Sequence, residues 1–350
     1  MNKIYIGYNT GSSKEGGMSR NNAFLQHARE RKYKLVNVYT KNLLLRCFKI
    51  IYVLTTSLFW RDKQIFIHLG SIFLLFPKQI LKFNLGRKLV HNWLENLSNK
   101  NLITLEINDL PYEQAIDLNL KIEPFYEDFQ RLIFDPQNNL RYIFASQGLR
   151  DYAIATYGIR IINTQVILNG APQLSDKPNF KDSLFKNLKK ERIKFVYAGT
   201  LQKGRGVDVL LNIFKESQNY LILLGEGGEW ITSLGCENII NLGAYDESIA
   251  LEIVSYCDLG VVHYDDSKLY YNICYPTKYS FYIVAGLPIL STQLKEGMRV
   301  LTDDDIAEFL PISQWVDYVN CVKHSDIEFR KGNVLNVRDQ FLWKNILKEL

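Results

Sequence analysis

Short apolar runs alternate with longer helical patterns along the whole chain. The first apolar run covers Lys3–Tyr8, and after a loop rich in Gly and Ser a helical pattern extends from Ser19 to Arg31. Runs of β-branched and aromatic residues favour strands, whereas a 3.6-residue period favours helices, so the order predicts strand, loop, helix and a second strand at Lys34–Thr40. This order is typical of a parallel sheet.

The alternation continues in two series. The first series predicts further strands at Ile65–Leu69, Leu102–Ile107, Tyr142–Ala145 and Val166–Leu168. The second predicts strands at Lys194–Tyr197, Tyr220–Leu224, Ile239–Leu242, Leu259–His263 and Pro288–Ser291, with helices at Val207–Ser217, Ser248–Tyr256 and Lys278–Ala285. A chain of 350 residues is too long for one ordinary core. We therefore expect an α/β protein with two Rossmann-like lobes facing each other across a cleft: an N-terminal lobe at 1–172, a C-terminal lobe at 173–335 and a closing amphipathic helix at 336–350.

The amino-acid composition narrows the structural class of the protein. The chain is 47% hydrophobic and 23% charged, values of a globular protein rather than a disordered or fibrous one. The five cysteines form no CxxC pair and the five histidines form no HxxxH pair, so we expect neither disulfides nor a metal site. A reducing cytoplasm fits this cysteine usage. Met1–Tyr8 runs directly into a strand, so we expect no signal peptide.

Charge is distributed unevenly. Residues 1–100 carry 17 Lys and Arg against four Asp and Glu, whereas the remainder carries 25 against 33. Within 41–90 there are nine basic residues and one acidic residue, Asp62. The uncharged run Ile50–Trp60 has eleven residues, too few to cross a bilayer, which needs about 20. Region 41–90 therefore predicts either contact with an anionic membrane surface or a buried helix with solvated lysines. No nucleic-acid recognition motif accompanies the charge.

A glycine-rich loop gives the first candidate for chemistry. In KFVYAGTLQKGRGVDVLL, starting at Lys194, a strand ends near Gly199, a loop carries Lys203 and Arg205, and a helix begins near Val207. Glycines let backbone approach a ligand, and a helix N-terminus offers unpaired N–H groups to an anion. The segment predicts a phosphate site, although many ordinary α/β turns share this pattern. Its spacing is not that of a P-loop.

Lys278 is the second candidate. Pro276 marks the start of a predicted helix and Gly286 marks its end, and Lys278 lies in its first turn. A cation at this end opposes the helix dipole, which prefers anions there. A negatively charged ligand would remove the conflict; the alternative is a solvated lysine. His263, at the end of a predicted strand, is either a substrate contact or a structural residue.

These segments together carry a family resemblance. In chain order they are the glycine loop Gly11–Gly17, the segment EINDLP at Glu106–Pro111, VILNG at Val166–Gly170, YAGTL with RGVD at Tyr197–Asp208, GEGG at Gly225–Gly228, CDLG at Cys257–Gly260, and PTK with AGLPILST at Pro276–Thr292. Their order resembles the family 4 retaining glycosyltransferases of the GT-B fold over nearly the whole chain. The pattern departs from the family at Ile273 and Phe281, where many members carry paired glutamates, and resembles a variant subgroup that lacks them.

The resemblance implies an enzyme that transfers a sugar from a nucleoside diphosphate donor, with a UDP-sugar expected, to a lipid-linked or glycan acceptor in surface-glycan synthesis. It implies catalytic roles for Arg205, Lys278 and Asp109 and no metal or other cofactor; helix capping is the alternative role for Asp109. Expected donor-binding residues are Gly199, Thr200, Lys203, Glu226, Asn272 and Thr277; expected acceptor-side residues are Gly16, Gly17 and Asn108. The enzyme would be peripheral at the inner face of the cell membrane. Two alternatives stay open: a GT-B epimerase or phosphorylase, and an inactive paralogue that binds glycan or a partner.

Overall fold

The computed structural model describes residues 2–10, 16–137, 139–175, 185–203 and 206–350. These residues form two compact units, one extending to Leu168 and one beginning at Asn169. Each unit contains a six-stranded, all-parallel sheet with helices between its strands. The predicted α/β class with two Rossmann-like lobes is confirmed.

The first sheet has the strand order β2-β1-β3-β4-β5-β6. Its strands are β1 (Asn2–Gly7), β2 (Lys34–Asn37), β3 (Lys63–His68), β4 (Leu102–Ile107), β5 (Leu140–Phe144) and β6 (Thr164–Val166). Its helices are α1 (Gly16–Glu30), α2 (Leu43–Ser57), α3 (Leu69–Leu75), α4 (Lys78–Leu81), α5 (Asn84–Ser98), α6 (Pro111–Asp117), α7 (Tyr126–Ile133) and α8 (Gln147–Tyr157). The chain starts at β1, adds β2 on one side and then continues on the other, so the topology reverses between β1 and β3.

The second sheet has the strand order β12-β11-β10-β7-β8-β9. Its strands are β7 (Lys194–Ala198), β8 (Tyr220–Leu224), β9 (Ile239–Gly243), β10 (Leu259–Val262), β11 (Ile289–Ser291) and β12 (Ala307–Phe309). Its helices are α9 (Val207–Phe214), α10 (Glu247–Ser255), α11 (Leu269–Ile273), α12 (Thr277–Val284), α13 (Lys295–Leu301), α14 (Trp315–Cys321), α15 (His324–Val337) and α16 (Trp343–Ile346). Here the topology reverses between β7 and β10.

The apolar strands explain why both sheets are buried. All five residues of β8 and all four of β10 are buried, as expected for strands covered on both faces. The core of the second unit gathers side chains from strands and helices alike, among them Phe195, Leu221 and Trp315. This packing fixes the ends of the strands, where the candidate functional residues lie.

The C-terminal region differs from its prediction. The single helix predicted for 336–350 is wrong, because α15 ends at Val337 and a 3₁₀ turn, an extended Leu342, the short α16 and another 3₁₀ turn follow. Leu342 pairs in parallel with Ala171, whose carbonyl accepts a hydrogen bond from Trp343 N at 3.0 Å. These tertiary bonds outweigh the local helical pattern. The short strand β12 is a further element that the sequence pattern does not predict.

Among the described residues, no helix combines the length and the apolar character that spanning a bilayer requires.

Candidate functional site

The second sheet places several candidate residues at one edge. Gly199 follows the end of β7, and His263 and Tyr264 follow the end of β10. The two strands pair directly, with Leu259 beside Phe195, and the connections from them leave in opposite directions. In open α/β sheets, ligands bind outside the carboxyl ends of the strands at such a reversal point. The fold therefore brings the two segments singled out from the sequence to the standard ligand position.

Two glycines let backbone approach closely at this edge. A side chain at Gly225, after β8, would place its Cβ 1.7 Å from the carbonyl oxygen of Gly199, so no larger residue fits there without moving backbone. Gly199 N donates to Leu224 O at 2.8 Å, which locks the two strand ends together. A Cβ on Gly199 would lie 2.8 Å from Cε of Lys278. The space beside Gly199 is thus filled by the lysine side chain.

Lys278 is the central charged group of the edge. Its Nζ donates to the hydroxyl of Tyr264 at 2.7 Å and lies 5.1 Å and 5.0 Å from the ring centroids of Tyr197 and Tyr264. Cation–π attraction and this hydrogen bond hold the ammonium in place. Among the residues that the structure describes, no carboxylate oxygen lies within 4.0 Å of it. The Lys278 ammonium is held by two tyrosines in the first turn of α12 and has no described carboxylate beside it. This arrangement favours binding of an anion.

The loop after β7 contributes further polar groups. Thr200, Lys203 and Glu226 are exposed, and Lys203 Nζ lies 5.4 Å from the centroid of the Trp230 ring. Leu201 N donates to the backbone oxygen of Glu226 at 2.8 Å, so these side chains extend from adjoining backbone. Arg205 lies outside the described residues. The helix that follows, α9, begins after Gly206, whose φ of 80° suits glycine.

Two other predicted donor contacts lie in and beside α11 and α12. Asn272 Nδ2 donates to the backbone oxygens of Asp266 and Lys268 at 2.6 and 2.9 Å, and its Oδ1 accepts from Lys295 N at 3.2 Å. Its side chain thus already fastens the loop between β10 and α11. Thr277 is the first residue of α12 and is half-buried.

Ile273 and Phe281 are apolar residues near Lys278. Ile273 is buried, and Phe281 is half-buried on α12. Neither side chain can accept a hydrogen bond from a sugar hydroxyl. Any such contact must come from other groups at this edge.

His263 is buried beside the start of α9. Its ring meets Trp315 edge-on at 5.7 Å between centroids, and a Cβ on Gly206 would lie 2.7 Å from its Nδ1. Burial lowers the pKa of His263, while the carboxylate of Asp208 acts in the opposite direction. The neutral imidazole is therefore favoured near neutral pH. The ring thus packs directly against Gly206, the residue that precedes α9.

The first unit carries a different arrangement at its own reversal point. Glu106, in β4, accepts a hydrogen bond from Arg20 Nε at 2.5 Å and contacts His68 Nδ1 at 2.7 Å. The other ring nitrogen of His68 bonds the Tyr5 hydroxyl. All four side chains are buried. Burial alone would raise the pKa of Glu106, but the charges of Arg20 and His68 outweigh it and hold that pKa at about 2.

This network also reaches β6. Arg20 Nη1 donates to the carbonyl oxygens of Ile167 and Leu168 at 2.8 and 3.3 Å. It therefore joins α1 to the carboxyl ends of four strands. Sequence reasoning noticed Glu106 only as part of a motif and missed its partners, since they lie 38 and 86 positions away along the chain.

The predicted acceptor-side residues lie close along the chain to members of that network. Asn108 and Asp109 come directly after β4, and Asn108 Nδ2 donates to Asp109 Oδ2 at 2.9 Å. The N-cap residue of α6 is Leu110. Gly16 and Gly17 begin α1, and the glycine loop before them, residues 11–15, lies outside the described residues. Among the described residues no cluster of His, Cys, Asp and Glu could hold a metal ion.

Comparisons with known proteins identify the architecture. No protein-family model matches the chain, and no curated protein matches it either. Solved structures do match, among them WaaG, a glycosyltransferase involved in lipopolysaccharide biosynthesis, with a TM-score of 0.62, 13% identity and coverage of 99% of this chain and 98% of that one. The chain has the GT-B fold.

Two further structures extend over the same length. HepE from Anabaena, in complex with UDP-glucose, matches with a TM-score of 0.65 and 14% identity, covering 99% of this chain and 97% of that one. The sucrose-phosphate synthase of Thermosynechococcus elongatus matches with a TM-score of 0.69 and 10% identity, covering 100% and 97%. At these identities the likeness establishes the GT-B fold for this chain, and its chemistry must be argued from its own residues.

Proposed function

We propose that the protein is a glycosyltransferase that moves a sugar from a UDP-sugar to a lipid-linked or glycan acceptor, with retention of anomeric configuration. The observation that carries this proposal is Lys278. Its ammonium lies at the reversal point of the second sheet, where GT-B proteins and other open α/β folds bind ligands, and no described carboxylate neutralises it. The UDP-glucose complex of the structurally similar HepE supports this donor class.

Sugar transfer from this donor depends more on a group that stabilises the departing diphosphate than on a general base. Transfer breaks the bond between the anomeric carbon and the diphosphate oxygen, and forms a bond from that carbon to the acceptor oxygen. The proton of the acceptor hydroxyl passes to the departing phosphate oxygen on the same face, which gives retention. Negative charge accumulates on the diphosphate, and a cation already in place stabilises it most effectively. Lys278 supplies that cation, and the Tyr264 hydroxyl keeps it aimed.

The remaining residues take roles around this centre. Arg205 is proposed as a second cation on the diphosphate, and Lys203 as a third at the rim of the loop. Backbone at Gly199 and Thr200 would contact the donor phosphates. Thr277, Glu226 and Asn272 are proposed as donor contacts, with Glu226 favoured for the ribose because the amide of Asn272 is already bonded within its loop.

The glycines at the start of α1 and the two polar residues after β4 are proposed to position the acceptor. They are Gly16, Gly17, Asn108 and Asp109. Asp109, bonded to Asn108, is the proposed catalytic member of this group. No metal or other cofactor has a part in the proposed reaction.

The apolar residues at Ile273 and Phe281 support membership of a variant subgroup without the paired glutamates. They also favour one competing function, an inactive paralogue that binds glycan or a partner. Such a protein would have lost the contacts to the donor sugar and would not turn over. A GT-B epimerase or phosphorylase would act on a related donor or sugar without a lipid acceptor.

The basic character of 41–90 supports a location at the inner, cytoplasmic face of the cell membrane, with an anionic lipid surface as partner. A lipid-linked acceptor would be found there.

One experiment separates these functions. The protein is incubated with radiolabelled UDP-glucose or other UDP-sugars, with and without bacterial membranes. Label that appears in the lipid fraction supports transfer. Sugar that is released or epimerised without membranes supports the epimerase or phosphorylase, and UDP binding without turnover on any donor supports the inactive paralogue.

A further inference from the structure

Helix α2 exposes an unusual amount of apolar surface. Eight large hydrophobic side chains between residues 43 and 59 are about half exposed or more: Leu43, Leu44, Leu45, Phe48, Ile51, Tyr52, Leu58 and Phe59. Phe59 is 80% exposed and Leu44 is 73% exposed. Monomeric proteins seldom leave contiguous apolar surface of this kind in water, and such patches mark contacts with a partner or a membrane. We call these eight residues the α2 apolar face.

The fold itself does not need the α2 apolar face. The helix packs inward through Val53 and Ser57, which are buried, and Trp93 Nε1 of α5 donates to Ser57 Oγ at 2.9 Å. The exposed residues Leu44, Phe48 and Ile51 follow each other at spacings of four and three, so they form a stripe on another side of the helix. A helix that is apolar on nearly all sides belongs in a core or in a lipid environment. Here one side is in the core and the other is exposed.

Several cations of region 41–90 are turned toward backbone oxygens. Arg46 Nη2 donates to Thr40 O at 2.6 Å, and Lys49 Nζ donates to Asn37 O at 3.0 Å. Arg61 Nη1 donates to Leu58 O and Trp60 O, both at 2.9 Å. These hydrogen bonds hold the three cations beside α2, and Arg61 is exposed to solvent.

Charge decides between the occupants of this face. Region 41–90 holds nine basic residues and one acidic residue, so a second copy of the chain packed here would set like charges against each other. An anionic lipid surface is complementary to the same region. Because α2 follows β2, its N-terminal end lies toward the carboxyl edge of the first sheet, the edge where Asn108 and Asp109 follow β4.

We propose that α2 lies in the plane of the membrane interface with the α2 apolar face inserted among the acyl chains. The inference rests on the proposed membrane location and adds that insertion of α2, rather than charge attraction alone, carries the affinity. The basic residues orient the protein on anionic headgroups. An acceptor lipid would then meet the first unit at the edge where Asn108 lies.

Vesicle flotation tests this proposal. The wild-type chain is mixed with vesicles of phosphatidylcholine alone, and with vesicles that also contain phosphatidylglycerol, at low and high salt. The variant L44S/F48S/I51S should lose on the order of 1,000-fold in vesicle affinity under all conditions, since burying each of the three large apolar side chains contributes roughly tenfold or more. The control I161S/I162S removes two exposed apolar residues that are distant in sequence from α2 and should float like wild type.

A charge variant completes the design. K41Q/R61Q should weaken binding only to the anionic vesicles and mainly at low salt, because salt screens exposed charges. Circular dichroism and UDP affinity should be unchanged in every variant, which shows that the fold and the donor site are intact.

The outcomes are distinct. Flotation of L44S/F48S/I51S equal to wild type would overturn the inference and leave the membrane location standing. A wild-type chain that binds UDP but never floats would contradict both the location and the inference, without touching the donor chemistry. If sedimentation instead shows a dimer that this variant dissociates, a second copy covers the face and the inference fails.

Discussion

The two sheets have the same architecture, but their reversal points are occupied in opposite ways. In the first unit the carboxylate of Glu106 is buried between Arg20 and His68, so charge is matched inside the protein. In the second unit the ammonium of Lys278 lies between two tyrosine rings with no described carboxylate within 4.0 Å. At the first position the cation has a carboxylate counter-ion within the protein, and at the second no described carboxylate pairs with the cation.

The difference separates scaffold from chemistry. A buried ion pair fixes neighbouring backbone, and Glu106 stands two residues before Asn108, so the network sets the geometry of the proposed acceptor side. The Lys278 ammonium costs less free energy to remove from water, because two tyrosine rings and a hydroxyl replace part of its hydration. The leaving diphosphate then supplies the missing negative charge. Each variant below changes one of these two positions.

The largest effect is expected for E106Q. Removing the carboxylate charge leaves Arg20 buried without its counter-ion, so the free energy of unfolding should fall by about 3–5 kcal/mol. The folded-state pKa of Glu106, about 2, lies below its ordinary value of 4.5. The stabilisation is therefore complete above about pH 4.5 and disappears as pH falls toward 2. Urea denaturation at a series of pH values should show wild type and E106Q converging in this interval. If the difference in free energy of unfolding between wild type and E106Q stayed the same at every pH, the charge of Glu106 would not be the source of the stabilisation.

Next comes K278A, which should lower kcat by roughly 10²- to 10³-fold if Lys278 stabilises the departing diphosphate. Folding should be little affected, because no described carboxylate loses a partner. Steady-state kinetics with the active UDP-sugar measure the effect. K215A, which removes an exposed lysine at the C-terminal end of α9 and away from the proposed donor contacts, is the matched control and should leave kcat unchanged. Near-normal turnover of K278A would contradict the central role of this lysine.

G199A should come third. The added Cβ would lie 2.8 Å from Lys278 Cε and 2.9 Å from Nζ, and the φ of 159° at Gly199 is one that residues with a Cβ rarely adopt, so the lysine must shift and the local backbone is strained. Because misplacement of a catalytic group by about 1 Å can cost on the order of 10²-fold, kcat should fall, together with a moderate fall in melting temperature. G225A is the contrast, since its Cβ would meet the Gly199 carbonyl at 1.7 Å and should destabilise the fold itself. Equal effects of the two variants on stability would contradict this division.

The smallest effect is expected for Y264F. It removes the hydroxyl that accepts from Lys278 Nζ at 2.7 Å and keeps the ring beneath the ammonium. A hydrogen bond to a charged group contributes about 1.5–3 kcal/mol, and because the ring contact with the ammonium remains, we expect the lower end of this range, a fall in kcat of roughly tenfold. Y271F changes the ring stacked on Tyr264 at 4.6 Å and serves as the control. A KM increase with unchanged kcat would mean that Tyr264 binds substrate without positioning Lys278.

Local sequence patterns predicted much of the fold but only part of the candidate site. Consecutive apolar residues such as Tyr220–Leu224 are strands because both faces of the sheet are covered, and that pattern is visible in sequence. The three residues of β12 are too few to show it, and the C-terminal helix is broken by backbone bonds to Ala171 that no local pattern reveals.

The site divides in the same way. Lys278 stood out because a cation in the first turn of a helix conflicts with the helix dipole. The tyrosines that cage it come from the ends of β7 and β10, 81 and 14 positions away, and tyrosines are frequent in this chain. Their role depends on which strands pair. The partners of Glu106 were missed for the same reason, whereas the apolar character of α2 was visible in sequence but its exposure was not.

The most direct test is a calorimetric titration of UDP and of uridine into the wild-type chain and into K278Q. If Lys278 binds the diphosphate, wild type should bind UDP far more tightly than uridine, and K278Q should lose about tenfold or more of UDP affinity with uridine affinity unchanged. An equal preference for UDP over uridine in both proteins would contradict the assignment of Lys278 to the diphosphate.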